Sequence, residues 1–371
     1  MAHVVVIGAL PASLINFRGE LIAALVAAGH RVTALAGPAS ADTRAEIESL
    51  GVTFVEYPVA RNGFNPIEDL KTWWALRKIL RALKPNVVLA YTIKPVIWGG
   101  LAARSVPGLR FFALITGLGY AFQGEGWLRG SLKRVAVTLY RAGVSRAERV
   151  VFQNPDNQAE FVNRGIVERN RTDVVNGSGV DVLRFSPTPV PQGDVVFLTI
   201  ARLLGEKGLR EFVQAAGQIK RDTPNAVFRI VGPADPSPDG IPAEEVTRWT
   251  QDRVVEYLGA ADDVRPHIQD CHVYVLASYH EGMPRTVLEA MAMGRPILTT
   301  EVSGCRETVV PGDNGYLVPA GDAQALAERM RWFIEHIDEL QAMGEASRRL
   351  AEARFDVRAV NARLLRIMEL A

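Results

Sequence analysis

Short apolar runs alternate with longer helical segments along the chain, and this alternation restricts the fold more than any other feature of the sequence. Runs rich in Val and Ile that are separated by helices are typical of parallel sheets covered on both faces. One stretch, Pro187-Thr-Pro-Val-Pro-Gln-Gly193, breaks the series with three prolines in five residues. We therefore predict an α/β protein with two doubly wound domains joined at this stretch. The predicted strands are 4–7, 32–35, 53–57, 87–90, 111–115, 150–152 and 173–175 before it, and 195–200, 227–231, 254–258, 273–276 and 297–299 after it.

The length of 371 residues fits two domains of roughly 150 to 190 residues each. Sheets of this kind bind ligands beyond the carboxyl ends of their strands. Two such domains facing one another would therefore enclose a ligand cleft lined by strand-end loops. The predicted organisation is a first domain over 1–186, a linker over 187–194, a second domain over 195–355, and a final helix over 356–371 that packs back on the first domain.

Composition and charge exclude several classes of protein. With 48% apolar and 22% charged residues, the chain is not disordered. Because 42 basic side chains nearly balance 41 acidic ones, we expect no nucleic-acid partner. The two cysteines, Cys271 and Cys305, form no CxxC motif, which fits a reducing compartment. The first residues lack a signal-peptide pattern and no run reaches the length of a membrane span, so we expect a cytoplasmic protein.

Two carboxylates eight positions apart flank a Gly-x-Pro turn in the segment Glu281-Gly-Met-Pro-Arg-Thr-Val-Leu-Glu289. Pro284 is suited to the first position of a helix, and Gly294 with Pro296 predicts its end near residue 293. The carboxylates then lie on either side of a helix N-terminus, whose free N–H groups suit an anionic, oxygen-rich ligand. An ionised carboxylate can accept hydrogen bonds from two hydroxyls of a sugar or ribose.

Two cations follow the predicted strand 195–200, in the loop Ala201-Arg-Leu-Leu-Gly-Glu-Lys-Gly208. Arg202 offers a planar fork for phosphate oxygens and Lys207 a compact charge, while Gly205 and Gly208 allow close approach of the loop. A solvated basic turn is the alternative interpretation. The carboxylate segment downstream favours a phosphate site.

In this order, R-x4-K at Arg202 and Lys207 and E-x7-E at Glu281 and Glu289 resemble the motifs of retaining glycosyltransferases of family 4. The resemblance covers nearly the whole chain and implies the GT-B fold, with two Rossmann-like domains facing across a cleft. It implies that the two cations hold the donor diphosphate, that Glu281 meets the donor sugar, and that Glu289 binds the ribose diol. The candidate residues are Arg202, Lys207 and Glu281 as catalytic, Gly259, Gly282, Met283, Pro284, Thr286 and Glu289 as donor-binding, and Gly8, Arg18, Thr116, Gly117 and Asn176 on the acceptor and transferred-sugar side.

Several members of that family carry a His before a Gly at the end of a first-domain strand. The matching stretch here is Leu114-Ile-Thr-Gly-Leu-Gly-Tyr120, where Thr116 replaces the His. We therefore expect front-face attack in which the leaving phosphate accepts the proton of the acceptor. His280, just before Glu281, either lines the site or closes a loop.

The loop from Gly8 to Gly19 follows the first predicted strand and fails the G-x-G-x-x-G pattern, which disfavours a nicotinamide dehydrogenase. Arg18, near the start of the next helix, either holds an anionic group of the acceptor or is a surface arginine. Residues 71–84 and 127–146 each hold five basic and no acidic residues, the first beside Trp73 and Trp74. Such helices predict contact with an anionic membrane, or else form a solvated face over a buried Trp.

The sequence has no D-x-D motif and no His/Cys cluster with metal spacing, so we expect neither metal nor cofactor. The resulting hypothesis is a metal-independent retaining transferase. It would move a hexose or N-acetylhexosamine from a nucleotide-sugar, with UDP as the expected nucleotide, to a lipid-carrier-linked saccharide of bacterial surface polysaccharide synthesis. The alternatives are a GT-B sugar-nucleotide epimerase and a non-catalytic sugar-nucleotide-binding partner of another transferase.

Overall fold

The computed structural model describes residues 1–60, 65–118 and 127–371, with the backbone alone for 127–132. It divides into two compact units, Met1–Ser178 with Arg358–Ala371, and Gly179–Val357. The division lies before the proline-rich stretch because Val180 and Phe185 are already buried in the core of the second unit.

A buried arginine fixes the proline-rich stretch within the second unit. The guanidinium of Arg295 is fully buried and donates hydrogen bonds to the carbonyls of Thr188, Pro189, Ile268 and Gln269 at 2.8 to 3.2 Å. Because a buried cation needs such acceptors, these bonds bind residues 188–189 tightly to the fold.

The first unit contains a parallel sheet of seven strands in the order β3-β2-β1-β4-β5-β6-β7, as a doubly wound domain requires. Apolar side chains alternate to both faces of this sheet and form two buried layers under the helices. The side chain of Asn65 accepts from the N–H of Ile67 and thereby sets the start of the fourth helix. The elements are β1 (His3–Ile7), α1 (Pro11–Asn16), α2 (Gly19–Ala27), β2 (Arg31–Ala36), α3 (Ala41–Ser49), β3 (Thr53–Glu56), α4 (Pro66–Leu83), β4 (Val87–Tyr91), α5 (Ile93–Ala103), β5 (Arg110–Ile115), α6 (Trp127–Val144), β6 (Arg149–Phe152), α7 (Pro155–Asn163) and β7 (Thr172–Val174).

The second unit contains a parallel sheet of six strands in the order β10-β9-β8-β11-β12-β13. Its last strand was not among the predicted ones. That strand begins at Gly315, where a Cβ atom would lie 1.8 Å from the carbonyl oxygen of Ile297, so only glycine fits there. The glycine shortens the apolar run by which a strand is predicted. The elements are β8 (Val196–Ile200), α8 (Leu209–Asp222), β9 (Val227–Val231), α9 (Ala243–Gln251), β10 (Glu256–Tyr257), α10 (Arg265–Gln269), β11 (Val273–Leu276), α11 (Arg285–Ala292), β12 (Ile297–Thr300), β13 (Gly315–Val318), α12 (Ala323–Glu335) and α13 (Leu340–Leu350).

The chain ends in α14 (Val357–Ile367), which belongs to the first unit from Arg358 onwards. Val360 and Leu364 of this helix are buried in the same apolar layer as Val4 and Val6 of β1. The last residues thus complete one face of the first sheet.

Candidate functional site

Lys207 and Glu281 meet at the carboxyl ends of two neighbouring strands, β8 and β11. The Nζ atom of Lys207 lies 2.6 Å from Oε1 of Glu281, and the hydroxyl of Ser278 donates to the same oxygen at 2.8 Å. Only 16% and 15% of the two charged side chains are exposed, so water screens the pair weakly. Burial lowers the pKa of Lys207, but the charge and hydrogen bond of Glu281 outweigh it and leave the pKa raised. Lys207 is therefore a fixed ammonium at neutral pH.

Two glycines allow the loops around this pair to approach so closely. Gly208 has φ +67°, and a Cβ atom there would lie 2.0 Å from the carbonyl oxygen of Ala277. Gly304, in the loop after β12, would clash in the same way with the carbonyl oxygens of Glu281 and Gly282 at 2.7 Å. The predicted close approach of the loop at Gly208 thus has a steric reason.

Arg202 follows β8 and forms an ion pair with Asp235 in the loop after the neighbouring strand β9. The carboxylate of Asp235 is buried, whereas 42% of the Arg202 side chain is exposed. Hydrogen bonds from Ser237, followed by the bond and charge of Arg202, lower the pKa of Asp235 to about 2. Sequence reasoning missed Asp235, although its place after a predicted strand of the same sheet was a usable signal.

Glu289 lies inside α11 and is 5% exposed. Burial raises the pKa of its carboxyl group, and Arg285, which donates to its Oε1 atom at 2.8 Å, offsets this only in part. Thr286 does not point freely at a ligand. Its hydroxyl accepts from Tyr274 at 2.6 Å and donates to the carbonyl of Ile200 at 3.3 Å, which fixes the start of α11 against β8 and β11.

The turn before α11 differs slightly from the predicted one. Pro284 caps the helix in an extended conformation, with φ −74° and ψ 106°, and Arg285 is the first helical residue. Met283 is partly buried against the core of the second unit. His280 is exposed on the loop that leads to Glu281, so its side chain does not close a buried turn.

Gly259, predicted beside the base, follows β10 and accepts at its carbonyl from the N–H of Gly232 at 2.7 Å. A Cβ atom on Gly259 would meet no other atom within 4 Å, whereas one on Gly232 would lie 1.9 Å from the carbonyl oxygen of Ala201. The loops after β8, β9 and β10 therefore lie against one another, with open space at Gly259.

In the first unit, Arg18 lies between α1 and α2, and the surface interpretation is wrong because only 2% of it is exposed. Its guanidinium carbon lies 5.0 Å from the ring centre of Tyr91, at the end of β4. Burial lowers the pKa of Arg18 to about 10 and raises that of Tyr91 to about 12. Burying a charge costs several kcal/mol unless the charge is paired, and a cation–π contact offsets about 2 kcal/mol of that cost.

Gly8 and Thr116 follow β1 and β5, the two strands that flank β4. A side chain at Gly8 would collide with the hydroxyl of Tyr91 at 2.2 Å, and Gly117 has open space at its Cβ position. Asn176 lies two strands further along the sheet than Thr116. Gly119 and Tyr120, the rest of the predicted stretch, lie outside the described residues.

Within the described residues, no group of three or more His, Cys, Asp or Glu side chains could hold a metal ion. Both cysteines are buried, and burial raises the pKa of Cys271 and Cys305 to about 12. Neither thiol is therefore suited to act as a nucleophile at neutral pH.

Two family models match most of the chain. Residues 16–177 match the glycosyl transferase 4-like domain, and residues 194–336 match the glycosyl transferases of group 1. These matches confirm the predicted resemblance to glycosyltransferases.

Two relatives show what kind of enzyme the chain is similar to. The N,N'-diacetylbacillosaminyl-diphospho-undecaprenol alpha-1,3-N-acetylgalactosaminyltransferase of Campylobacter jejuni is 29% identical over 337 residues, 87% of each chain. The UDP-Gal:alpha-D-GlcNAc-diphosphoundecaprenol alpha-1,3-galactosyltransferase of Escherichia coli is 27% identical over 281 residues, 71% of this chain and 70% of that one. The solved structure of Anabaena HepE in complex with UDP-glucose matches with a TM-score of 0.80, 19% identity and full coverage of both chains. This likeness confirms the predicted GT-B fold.

Proposed function

Because the chain belongs to the glycosyltransferases whose two domain models match it, we propose that it transfers a hexose or N-acetylhexosamine from a UDP-sugar to a lipid-linked saccharide, with retention. Bacterial surface polysaccharide synthesis is the proposed setting. The observation that carries this proposal is the ion pair of Lys207 and Glu281, beside Arg202, at the carboxyl edge of the second sheet. The names of both relatives specify diphospho-undecaprenol-linked saccharides, which supports the acceptor class.

The donor proposal assigns the diphosphate to Arg202 and Lys207. Lys207 keeps its charge, because its pKa is raised, and Glu281 holds its ammonium in place. Fixed cations suit a diphosphate better than mobile ones since no reorganisation is needed when charge develops. The name of the Escherichia coli relative specifies UDP-Gal, and HepE holds UDP-glucose, which supports a UDP-linked donor.

In the proposed reaction, the bond from the anomeric carbon to the β-phosphate oxygen breaks while the acceptor hydroxyl bonds to the same face of that carbon. The hydroxyl proton passes to the leaving phosphate, because the strand end after β5 carries Thr116 and no His. Negative charge therefore grows on the phosphate in the transition state. Arg202 and Lys207 stabilise the transition state, with its larger phosphate charge, more than they stabilise the bound donor. This difference accelerates the reaction without a metal ion.

Glu289 is proposed to accept hydrogen bonds from the two ribose hydroxyls. Its carboxylate is buried next to Arg285, which fixes one oxygen. Gly259, with open space at its Cβ position, and the turn of Gly282, Met283 and Pro284 are proposed to contact the base and the donor sugar. The acceptor side is assigned to Gly8, Arg18, Thr116, Gly117 and Asn176.

Peripheral membrane contact at the cytoplasmic face is proposed for α4. Ile67, Leu70 and Trp74 recur along this helix and are 68%, 58% and 60% exposed. Lys71 and Lys78 are exposed on the same helix, whereas Trp73 is partly buried against the core. An exposed apolar stripe flanked by cations suits an anionic bilayer surface. No helix in the described ranges is long and apolar enough to cross a membrane.

The test is transfer of radiolabelled sugar from a panel of UDP- and GDP-sugars to a lipid diphosphate-linked saccharide. We expect transfer from one UDP-sugar, and stereochemical analysis of the product should show retention. UDP-sugar turnover without acceptor would instead identify an epimerase. Binding of a UDP-sugar without transfer to any lipid-linked acceptor would identify a non-catalytic partner.

A further inference from the structure

The loop that follows β8 and carries Arg202 is held along its length by the loop 233–241, which follows β9. Three backbone hydrogen bonds of 2.9 Å join the two loops. They run from the N–H of Leu203 to the carbonyl of Pro233, from the N–H of Gly205 to the carbonyl of Asp239, and from the N–H of Ile241 to the carbonyl of Leu203. The backbone on either side of Arg202 is therefore fixed before any ligand binds.

The loop 233–241 is itself a rigid support. Three of its nine residues are prolines, which fix the backbone angle φ. A Cβ atom at Gly240 would lie 2.1 Å from the carbonyl oxygen of Asp235, so only glycine fits at this turn. Asp239 adds a side-chain contact, because its Oδ2 atom accepts from the N–H of Glu206 at 2.8 Å. This loop can therefore set the position of the groups that it holds.

Asp235 extends its carboxylate from this loop to one nitrogen of Arg202. Its Oδ2 atom accepts from Nη1 of Arg202, and its Oδ1 atom accepts from the N–H of Ser237 at 3.0 Å. Only 8% of the Asp235 side chain is exposed, so the carboxylate is held at both oxygens in a buried position. Because hydrogen bonds from Ser237 and then from Arg202 lower the pKa of Asp235 to about 2, the group is ionised at neutral pH.

The ion pair leaves the other edge of the Arg202 guanidinium open to a ligand. Within the part of the chain that the structure describes, only Nη1 of Arg202 donates a hydrogen bond, and 42% of the side chain is exposed. The edge formed by Nε and Nη2 matches two oxygens of a phosphate. Burial and Glu281 have the largest effects on the pKa of Lys207, but the charge of Arg202 also acts on it, so the two cations lie within electrostatic reach of one another.

We propose that Asp235 is a positioning residue that turns the Nε–Nη2 edge of Arg202 toward the leaving phosphate. This role rests on the proposed function, in which Arg202 stabilises the charge that grows on that phosphate. A donor that is already oriented needs no reorganisation when the charge develops. Asp235 thus has the same relation to Arg202 that Glu281 has to Lys207, and both carboxylates come from loops that follow the strands next to β8.

Loss of the Asp235 charge should act on a bound diphosphate in two opposite ways. It frees the guanidinium of Arg202, which weakens the contact with the phosphate. It also removes a negative charge near the ligand, which strengthens binding. A double-mutant cycle separates the two effects, since the first requires Arg202 and the second does not. The four proteins are the wild type, Asp235→Asn, Arg202→Ala and the double variant.

Transfer assays measure the effect on orientation. We expect Asp235→Asn to lower kcat by on the order of 10- to 10²-fold, because a misplaced catalytic group loses rate steeply, and to change the Kd for UDP far less. In Arg202→Ala the same substitution should lower kcat no further. A wild-type kcat in Asp235→Asn, or the same fold loss in both backgrounds, would overturn the proposal.

The matched control is Glu245→Gln, which breaks the ion pair of Arg210 in the same unit and should keep the wild-type kcat. An equal loss of kcat in Glu245→Gln and Asp235→Asn would also overturn the proposal. Unfolding of a variant lowers kcat and the amount of UDP bound together. A lower kcat of Asp235→Asn with one UDP bound per chain therefore excludes a folding defect.

Calorimetry with UDP keeps this inference distinct from the proposed function. In Arg202→Ala, the further substitution Asp235→Asn should tighten UDP binding, whereas with Arg202 present it should tighten binding less or weaken it. Equal changes of UDP affinity in the two backgrounds would overturn the positioning role, while sugar transfer by the wild type would still support the function. Unequal changes in a protein that transfers no sugar would refute the proposed function and leave Asp235 as the residue that positions Arg202.

Discussion

The ammonium of Lys207 lies 2.6 Å from the carboxylate of Glu281, although the two residues are 74 positions apart in the chain. Their strands, β8 and β11, are neighbours in the second sheet, so the loops that follow them converge. The pair joins a cation proposed for the donor diphosphate to a carboxylate proposed for the donor sugar. Each charge holds the other in position before any donor binds.

Removal of the Lys207 ammonium should reduce catalysis more than donor binding. We expect Lys207→Ala to lower kcat by on the order of 10²-fold, about 2.7 kcal/mol, because the charge acts on the transition state. Steady-state kinetics with the matched variant Lys220→Ala, also in the second unit, provide the measurement and control. Near-normal turnover of Lys207→Ala would contradict the diphosphate assignment.

Arg202→Ala should likewise lower kcat by on the order of 10²-fold. Its guanidinium pairs with the buried carboxylate of Asp235, which orients it next to the second sheet. The control is Arg210→Ala, because Arg210 lies nearby on α8 and also pairs with a carboxylate, that of Glu245. An equal loss of kcat in Arg202→Ala and Arg210→Ala would show that loss of any ion pair in this region lowers turnover, and that Arg202 has no specific role.

The ionisation of Glu289 should link donor affinity to pH. Burial raises the pKa of this carboxyl group, so it protonates at a higher pH than an ordinary Glu. Affinity for UDP should therefore fall as the pH decreases through the raised pKa, because a protonated carboxyl accepts fewer ribose hydroxyls. Calorimetry across this pH range should show that UDP affinity depends less on pH in Glu289→Gln than in the wild type. The exposed control Glu244→Gln should keep the pH dependence of the wild type.

The carboxyl group of Glu289 should also link the stability of the fold to pH, but with the opposite sign to donor affinity. The folded state binds the proton of Glu289 more tightly than the unfolded state does, so this residue's contribution to stability rises as the pH falls through its raised pKa. Denaturant unfolding of wild type and Glu289→Gln at two pH values measures the difference. An identical pH dependence in the two proteins would contradict it.

Two glycine substitutions in the second unit should change stability in opposite directions. Gly208→Ala should destabilise by roughly 2 kcal/mol or more, because φ is +67° and the added Cβ would lie 2.0 Å from a carbonyl oxygen. Gly217 lies inside α8 with only an ordinary contact at 3.8 Å, so Gly217→Ala should stabilise by roughly 0.5 to 1 kcal/mol. Urea unfolding gives the free energy of unfolding of both variants. A loss of stability in Gly217→Ala alone would contradict the assignment of the steric constraint to Gly208.

The apolar stripe of α4 should govern binding to anionic liposomes. Replacing Ile67, Leu70 and Trp74 by Ser should abolish flotation, because each buried apolar side chain contributes roughly 1.5 to 3 kcal/mol. Replacing Lys71 and Lys78 by Gln should weaken it by about 1 kcal/mol per residue and remove the preference for anionic lipid. The control is Leu183→Ser, a 68% exposed leucine of the second unit. Unchanged flotation of the triple variant would remove α4 from the membrane proposal.

The apolar runs of the sequence predicted strands correctly where those strands are fully buried. The runs that form β1, β4, β8 and β11 are fully buried, so they had to be apolar and were visible as such. The short β13 was missed because its first residue must be a glycine to lie against Ile297. The division of the two units also lies before the prolines, since burial of Arg295 ties residues 188–189 to the second unit.

The sequence by itself determined the two doubly wound sheets and the two charged motifs, because apolar periodicity and the spacing of charges are local properties. Only the tertiary structure decided which charges meet. It pairs Lys207 with Glu281 and Arg202 with Asp235 because adjacent strands end at the same edge of a parallel sheet. It also buries Arg18 against the ring of Tyr91, since burial depends on residues distant in the chain.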